Sequence, residues 1–420
     1  MHCLEVNVAK MDVVMVGGGM ITHDQLLPSI YQLQRMGQLG DVKICALNGA
    51  PLKALAESGA INAAFPNSSF QPFPDYEKEG VDKKFPDLYK EVIASLAPRQ
   101  LVVVAVPDQM HHQVLRVALE NDQHILCVKP LVLEYEQAVE IEKKAHDKGL
   151  FIGVEYHKRL DDRSLITRNR WQNGEFGEFR FGWAHLIEPW YYRDSNFQNW
   201  CTCENTDMFT YIGCHYVDLV AFITGLKPVS VSVYGIVDQY PNGNDGYLWT
   251  DGRVIWENGG VLTVFNAIGY PNEAPGGNSQ GMALYGQNGL ERSTIINHSD
   301  QYRGVKHSLA GGKKIYHEPN PDFMQYVPWS GDGLRPVGYG YRSVEFIVQE
   351  ALRVEAAGDD LAARQALLTE IDEKGLVATP KNSNYNELVV EAGRKSILNG
   401  GREVTIEYGE SAGVKFREYD

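Results

Sequence analysis

The sequence predicts an α/β protein: a doubly wound parallel sheet within residues 1–155, then an α+β part over residues 156–420 whose sheet is covered on one face. Three observations carry this. Residues 101–106 (LVVVAV) form a continuous, β-branched apolar run, the pattern of a strand buried on both faces. Pro107-Asp108 stops that run. Val114, Leu115, Ala118 and Leu119 then recur at helical spacing before a second apolar run at 124–128, which makes a β-α-β unit with a right-handed crossover. In the second half, stretches such as 229–234 and 260–265 instead alternate apolar and polar residues.

Taken in order, residues 12–16 are a first strand, followed at once by Gly17-Gly18-Gly19 and a helix marked by Leu26, Leu27, Ile30, Leu33 and Met36. Strand, glycine turn and helix are the setting of a dinucleotide site. Gly17 permits the tight turn, Gly19 lets backbone approach a pyrophosphate, and Met20 and Ile21 open the helix N-terminus. Thr22 stands where a third glycine or alanine is usual. The second strand, 42–47, ends at Asn48, where an acidic residue would suit NAD and an arginine NADP. Asn48 can bond a ribose hydroxyl, and no Lys or Arg follows it until Lys53, so NAD is expected over NADP.

Residues 65–85 read as a long surface loop. Lys129 falls just past the carboxyl end of the 124–128 strand, where open α/β sheets keep their ligands, and Pro130 behind it would fix its place. A surface lysine is the plain alternative. A helix over 134–146 and a strand over 150–154 complete the alternation, which stops near Tyr156, so the domain boundary is placed near residue 155.

Strands are expected next at 178–185, 229–234, 252–256, 260–265 and 282–285, with helices near 208–224, 344–357 and 385–399. Between residues 190 and 200, Trp190, Tyr191, Tyr192, Phe197 and Trp200 are mixed with Arg193, Asp194, Asn196, Gln198 and Asn199. Flat rings beside polar groups suit a loop that stacks on a sugar face and bonds its hydroxyls, with core packing the alternative.

Composition narrows the class. An apolar content of 44% with 22% charged residues is ordinary for a globular chain, and no apolar run approaches the roughly 18 residues of a membrane span. The first residues lack the basic start and apolar region of an export signal, so a cytoplasmic protein is expected. A net charge of −15 argues against nucleic acid or anionic membrane as partner. The six cysteines form no disulfide framework, and Cys201-Thr-Cys203 has no second pair at finger spacing, so no metal site is expected.

The glycine turn at 17–19, Pro107-Asp108 with His111, Cys127-Val-Lys-Pro130, Gly213-Cys-His-Tyr-Val-Asp218 and the helix at Glu391-Ala-Gly-Arg-Lys-Ser-Ile397 occur together in one order. In this the chain resembles the Gfo/Idh/MocA oxidoreductases over nearly its whole length. The resemblance implies a Rossmann dinucleotide-binding domain and a C-terminal α+β domain with an open-faced, mostly antiparallel sheet. It further implies an NAD(P)-dependent dehydrogenase of sugars, glycosides or cyclitols, assembled as a dimer or tetramer. Val106, Pro107, His111 and Lys129 would then lie by the cofactor, and Tyr156, Trp190, Arg193, Trp200 and Asp218 by the substrate. Two further departures stand out: the family's Glu-Lys-Pro is Val128-Lys129-Pro130, and its Asp four residues before the catalytic His is Tyr211.

Oxidising a secondary alcohol by hydride transfer needs a base near neutrality and a donor to steady the alkoxide. His215 suits the base, since an unperturbed imidazole titrates near about 6.5. Lys129 would polarise the oxygen or relay the proton. Tyr211, one helical turn before His215, would share its face and join the relay, or simply pack. Asp218 has a structural or a substrate-hydroxyl role open to it. Reduction of a keto-sugar or imine, and an inactive cofactor-dependent sugar sensor, are the alternatives. The second is disfavoured because Lys129 and His215 are both present.

Overall fold

The structure, a computed structural model, describes residues 10–274, 277–290, 292–299, 304–308, 315–319 and 323–418. Two compact units make up the chain. One is drawn from within residues 1–131, 137–157 and 321–382, the other from within 132–136, 158–320 and 383–420.

The first unit is built on β1 (Met11–Val16), β2 (Leu39–Cys45), β3 (Gln71–Phe73), β4 (Leu101–Val104), β5 (His124–Val128) and β6 (Ile152–Glu155). They lie in the order β3-β2-β1-β4-β5-β6, every neighbouring pair parallel. Strand order reverses between β1 and β4, which leaves the ligand crevice of such sheets at their carboxyl ends. All four residues of β4 are buried, as a β-branched run covered on both faces requires. β3 corrects the reading of 65–85 as loop throughout. Gln-Pro-Phe is too short to show a period, and its parallel pairing with β2 makes it a strand.

Residues 321–382 join this unit although they follow the second sheet in sequence. The helix Tyr339–Glu355 buries Val344, Ile347, Val348, Ala351 and Val354 in the same core as Val13, Met15, Val103 and Leu126. Each Val or Ile among them contributes roughly 1.5–3 kcal/mol as an upper estimate. Its fit to the sheet is close, since a Cβ at Gly153 of β6 would lie 2.5 Å from Ile347 Cγ2. By packing, the first unit is thus discontinuous, unlike a single cut near residue 155. A further helix there, Leu361–Lys374, is capped by Asp360, whose carboxylate accepts the Ala363 N–H.

The second unit carries β7 (Glu178–Pro189), β8 (Pro228–Gln239), β9 (Asp245–Trp256), β10 (Val261–Tyr270), β11 (Ser279–Asn288) and β12 (Arg292–Ser299). A hairpin of β13 (Gly304–Ser308) and β14 (Ile315–Pro319) follows, while the hairpin of β15 (Gln325–Pro328) and β16 (Leu334–Val337) belongs to the first unit. β17 (Val404–Glu407) and β18 (Gly413–Phe416) return to give the order β12-β11-β7-β10-β9-β8-β17-β18. Only β10 and β7 run parallel; the other neighbours are antiparallel. The helix Tyr385–Ile397 packs against β8, its Ser396 hydroxyl accepting the Val233 N–H. The opposite face leaves Phe181, Tyr234, Phe265, Tyr285 and Ile295 exposed, so the sheet is open there. No helix among the described residues is long and apolar enough to cross a membrane.

Candidate active site

In the first unit the glycine turn is shaped by close approach of backbone. Gly17 has φ +115°, and a Cβ there would lie 2.0 Å from the Ala105 carbonyl oxygen, so only glycine fits. Its N–H donates to Cys45 O at 2.8 Å. Thr22, the departure at the third fingerprint position, has a job the sequence did not show: its buried hydroxyl donates to Gly17 O at 2.9 Å. At Gly19 a Cβ would meet nothing within 4 Å, which leaves open space beside the turn. Met20 and Ile21 are half-buried at the start of a π turn, Thr22–Leu26, that runs into the helix Leu27–Arg35. Asn48 is also half-buried and caps the helix Gly49–Ala56 by accepting the Ala50 N–H at 3.3 Å.

Lys129 is 9% exposed and directly follows β5. His111 secures that segment rather than lining a surface, because its ring is wholly buried. Nδ1 lies 2.8 Å from Pro130 O and Nε2 2.9 Å from Val106 O, so the ring bridges the chain after β4 to the chain after β5. Val106 and Pro107 are half-buried beside it, and Tyr156, placed with the substrate by the sequence, is only 2% exposed.

Two residues of this end went unread. Glu155 pairs in register with Val128, so a carboxylate stands on the neighbouring strand where the Glu-Lys-Pro pattern is broken. Gln25 donates to Glu155 Oε1 at 2.7 Å and to Gly340 O at 2.9 Å, and His157 Nδ1 lies 3.1 Å from Glu155 Oε2. Only parallel register, which single-strand patterns do not encode, brings Glu155 there.

In the second unit, a π turn at Phe209–Gly213 leads into the helix Cys214–Thr224. Asp207 caps it, accepting the Thr210 N–H at 2.8 Å and hydroxyl at 3.1 Å. Burial pushes the Asp207 carboxyl above its usual range, against these bonds and the nearby Arg394. Tyr211 lies within that π turn, where i→i+5 bonding replaces the α-helical geometry expected between it and His215 in the helix that follows. Such bulges often mark functional sites. His215 is 5% exposed. Tyr211 turns to the aromatic segment, its ring centroid 5.0 Å from Phe197 and 5.6 Å from Trp200.

That segment is a 3₁₀ turn, Trp190–Asp194, and a short helix, Phe197–Trp200, rather than a strand. Tyr211 and Trp200 are therefore brought together. Trp190 and Arg193 form a second group, the guanidinium carbon 3.8 Å from the Trp190 ring centroid. Asp218 joins neither. Its carboxylate accepts Arg159 Nε at 2.8 Å and Nη2 at 2.6 Å, Tyr385 Oη at 2.9 Å and Asn386 Nδ2 at 2.9 Å. Four donors on a group 1% exposed tie Asp218 into the interior of this unit, as a structural role would require. Burial, and then Asp218, drive the Tyr385 phenol well above its ordinary range.

Among the described residues no three His, Cys, Asp or Glu side chains form a group able to hold a metal. A concavity of about 870 Å³ opens beside β2 and β3 near Arg35, Phe65 and Trp329, and none of the residues named above as site candidates lines it.

Residues 11–156 match the family model described as an oxidoreductase family with an NAD-binding Rossmann fold. An uncharacterized oxidoreductase of Schizosaccharomyces pombe is 30% identical over 24% of this chain and 27% of its own length. The D-glucoside 3-dehydrogenase of Escherichia coli is 27% identical over 31% of this chain and 37% of its own. The chain thus spans about a quarter to two-fifths of these curated relatives. The scyllo-inositol dehydrogenase of Lactobacillus casei, solved with NAD(H) and scyllo-inositol, shares the fold with a TM-score of 0.57 at 15% identity, over 94% of this chain and 99% of that one. Residues 11–156, with the parallel sheet and glycine turn they form, are thus similar to the NAD-binding Rossmann domain of the Gfo/Idh/MocA oxidoreductases.

Proposed function

We propose that the protein is an NAD(H)-dependent dehydrogenase that oxidises a secondary hydroxyl of a sugar, glycoside or cyclitol. The observation that carries the reading is the end of the parallel sheet. There a turn only glycine can make, at Gly17, stands beside open space at Gly19, and Lys129 closes a neighbouring strand. The N–H groups of Met20 and Ile21 would hold the pyrophosphate, Asn48 the adenosine ribose, and Val106, Pro107 and Lys129 the nicotinamide end. When bound, the nicotinamide supplies a hydride acceptor. Glu155, through Gln25, ties the first turn after the glycines to β6 and so keeps the cradle in place.

In this reading His215 takes the hydroxyl proton and Lys129 steadies the negative charge that grows on that oxygen. Tyr211, four positions before His215, packs its ring against Trp200 and would offer a hydroxyl to the relay. The glucoside and inositol dehydrogenases among the similar proteins support a polyol substrate. The exposed row Phe181, Phe265, Tyr285 and Ile295 supports assembly into a homo-oligomer.

A screen of sugars, glycosides and cyclitols with NAD⁺ and NADP⁺, followed by absorbance of the reduced cofactor, tests the reading. Turnover with NAD⁺ at least about tenfold more efficient, about 1.4 kcal/mol, is expected. No reduction of either cofactor by any polyol ends the proposal.

A further inference from the structure

Arg193 is placed in the second unit in a way that ordinary packing does not require. It is 4% exposed, Nε donates to Ile268 O at 2.9 Å, and Nη1 meets Asp238 Oδ2 at 2.6 Å. Its Nη2 is buried with no hydrogen-bond partner. Taking a guanidinium out of water and leaving one donor unmet is costly even when a carboxylate pairs with it. What the guanidinium supports is Trp190, whose ring lies 3.8 Å above it while the residue stays 44% exposed. One face of the indole is therefore covered by a fixed planar cation and another part is open to solvent. A second ring, Trp249, lies 5.6 Å from the same guanidinium, and its Nε1 donates to Asp238 Oδ2 at 3.4 Å.

Tyr191 next to it is 53% exposed, with its N–H held by Asn272 Oδ1 at 2.8 Å. Tyr191 is linked to Tyr211 by a run of ring contacts through Tyr192 and Phe197, at separations of 4.9, 5.5 and 5.0 Å. Along that run two rings lie between the exposed Tyr191 and Tyr211. A ring immobilised in advance binds a flat apolar face without further loss of side-chain freedom.

We infer that Trp190 is a stacking platform for a second ring of the substrate and that Arg193 is the positioning residue that holds it. The substrate class is then a glycoside with a cyclic aglycone or second sugar, rather than a free monosaccharide or cyclitol. This rests on the carbohydrate dehydrogenase reading above.

The test uses glucose, methyl β-D-glucoside and phenyl β-D-glucoside as probes with the wild-type protein and the Trp190→Ala, Trp190→Phe and Arg193→Lys variants. Initial rates with NAD⁺ are measured, and binding of each glucoside is measured separately by calorimetry. In wild type the phenyl glucoside should have the lowest KM. Trp190→Ala should reduce the phenyl-over-methyl preference in kcat/KM about tenfold, carried in KM, with Trp190→Phe intermediate. Arg193→Lys keeps the charge but loses the planar stack, and should follow Trp190→Ala. An unchanged preference in Trp190→Ala overturns the platform, as does a changed oligomeric state with unchanged kinetics. Calorimetric binding of the phenyl glucoside that depends on Trp190, without turnover of any probe, would sink the dehydrogenase reading and leave the platform standing.

Discussion

At the carboxyl end of β1 the glycine turn is held by backbone: the Gly17 N–H reaches Cys45 O, and Thr22 closes on Gly17 O. At the carboxyl end of β7 the exposed ring of Trp190 is held by a side chain, the buried guanidinium of Arg193. The first arrangement presents N–H groups and needs small residues. The second presents a flat apolar surface and needs a desolvated charge beneath it. A cofactor shared by many enzymes suits the first, since pyrophosphate is read by amides, while a particular substrate suits the second. Two arginine–carboxylate pairs repeat the lesson inside one unit. Arg159–Asp218 is closed off, with side chains 3% and 1% exposed, and Arg193–Asp238 keeps its carboxylate 42% exposed at a surface.

The sharpest way to break this division is to remove the proposed chemical groups. Lys129→Met and His215→Ala should each lower kcat by about 10²–10⁴-fold, the usual contribution of acid–base groups. Cofactor affinity, set by the glycine turn, should change far less. Purified variants assayed on a substrate from the screen, with NAD⁺ binding followed by fluorescence, decide it. Turnover within about fivefold of wild type places the chemistry elsewhere.

Asp218→Ala comes next. It strands Arg159 in the interior, and breaking a buried pair in this way typically costs about 3–5 kcal/mol. Chemical denaturation should show that loss. A variant of wild-type stability and raised KM would instead return Asp218 to the substrate.

Thr22→Val keeps the shape of the side chain and removes the hydroxyl that holds Gly17 O. A loss of about 1 kcal/mol in stability is expected, with weaker NAD⁺ binding. Equal NAD⁺ affinity in the two proteins would show that the turn keeps its form without Thr22.

The smallest effect concerns Asp238. The Arg193 hydrogen bond holds its carboxyl below the usual range. A depressed carboxyl gives stability that is present above the unfolded value, about 3.9, and lost as pH falls through the lower folded value. The urea midpoints of wild type and Asp238→Asn should therefore converge as pH is lowered below about 4. Exposure keeps the difference small, and a gap that stays constant down to pH 3 would speak against the coupling.

Several parts of this molecule were legible in the chain itself. The buried run of β4, the glycine turn after β1, Lys129 after β5 and the alternating strands of the second sheet are local signals, each written within a few residues. The remaining features join distant residues. β3 exists by pairing with β2, and the helix Tyr339–Glu355 returns across the second sheet's sequence to the first core. Arg159 meets Asp218 across 59 positions, Arg193 meets Ile268 across 75, and Gln25 meets Glu155 across 130. Those contacts engage Asp218 with Arg159 and Tyr385, set His111 against backbone carbonyls, and stand a carboxylate beside Val128. Periodicity and glycine placement reflect what one segment prefers. Which side chains meet depends on the register and packing of whole elements, and local preference does not encode that.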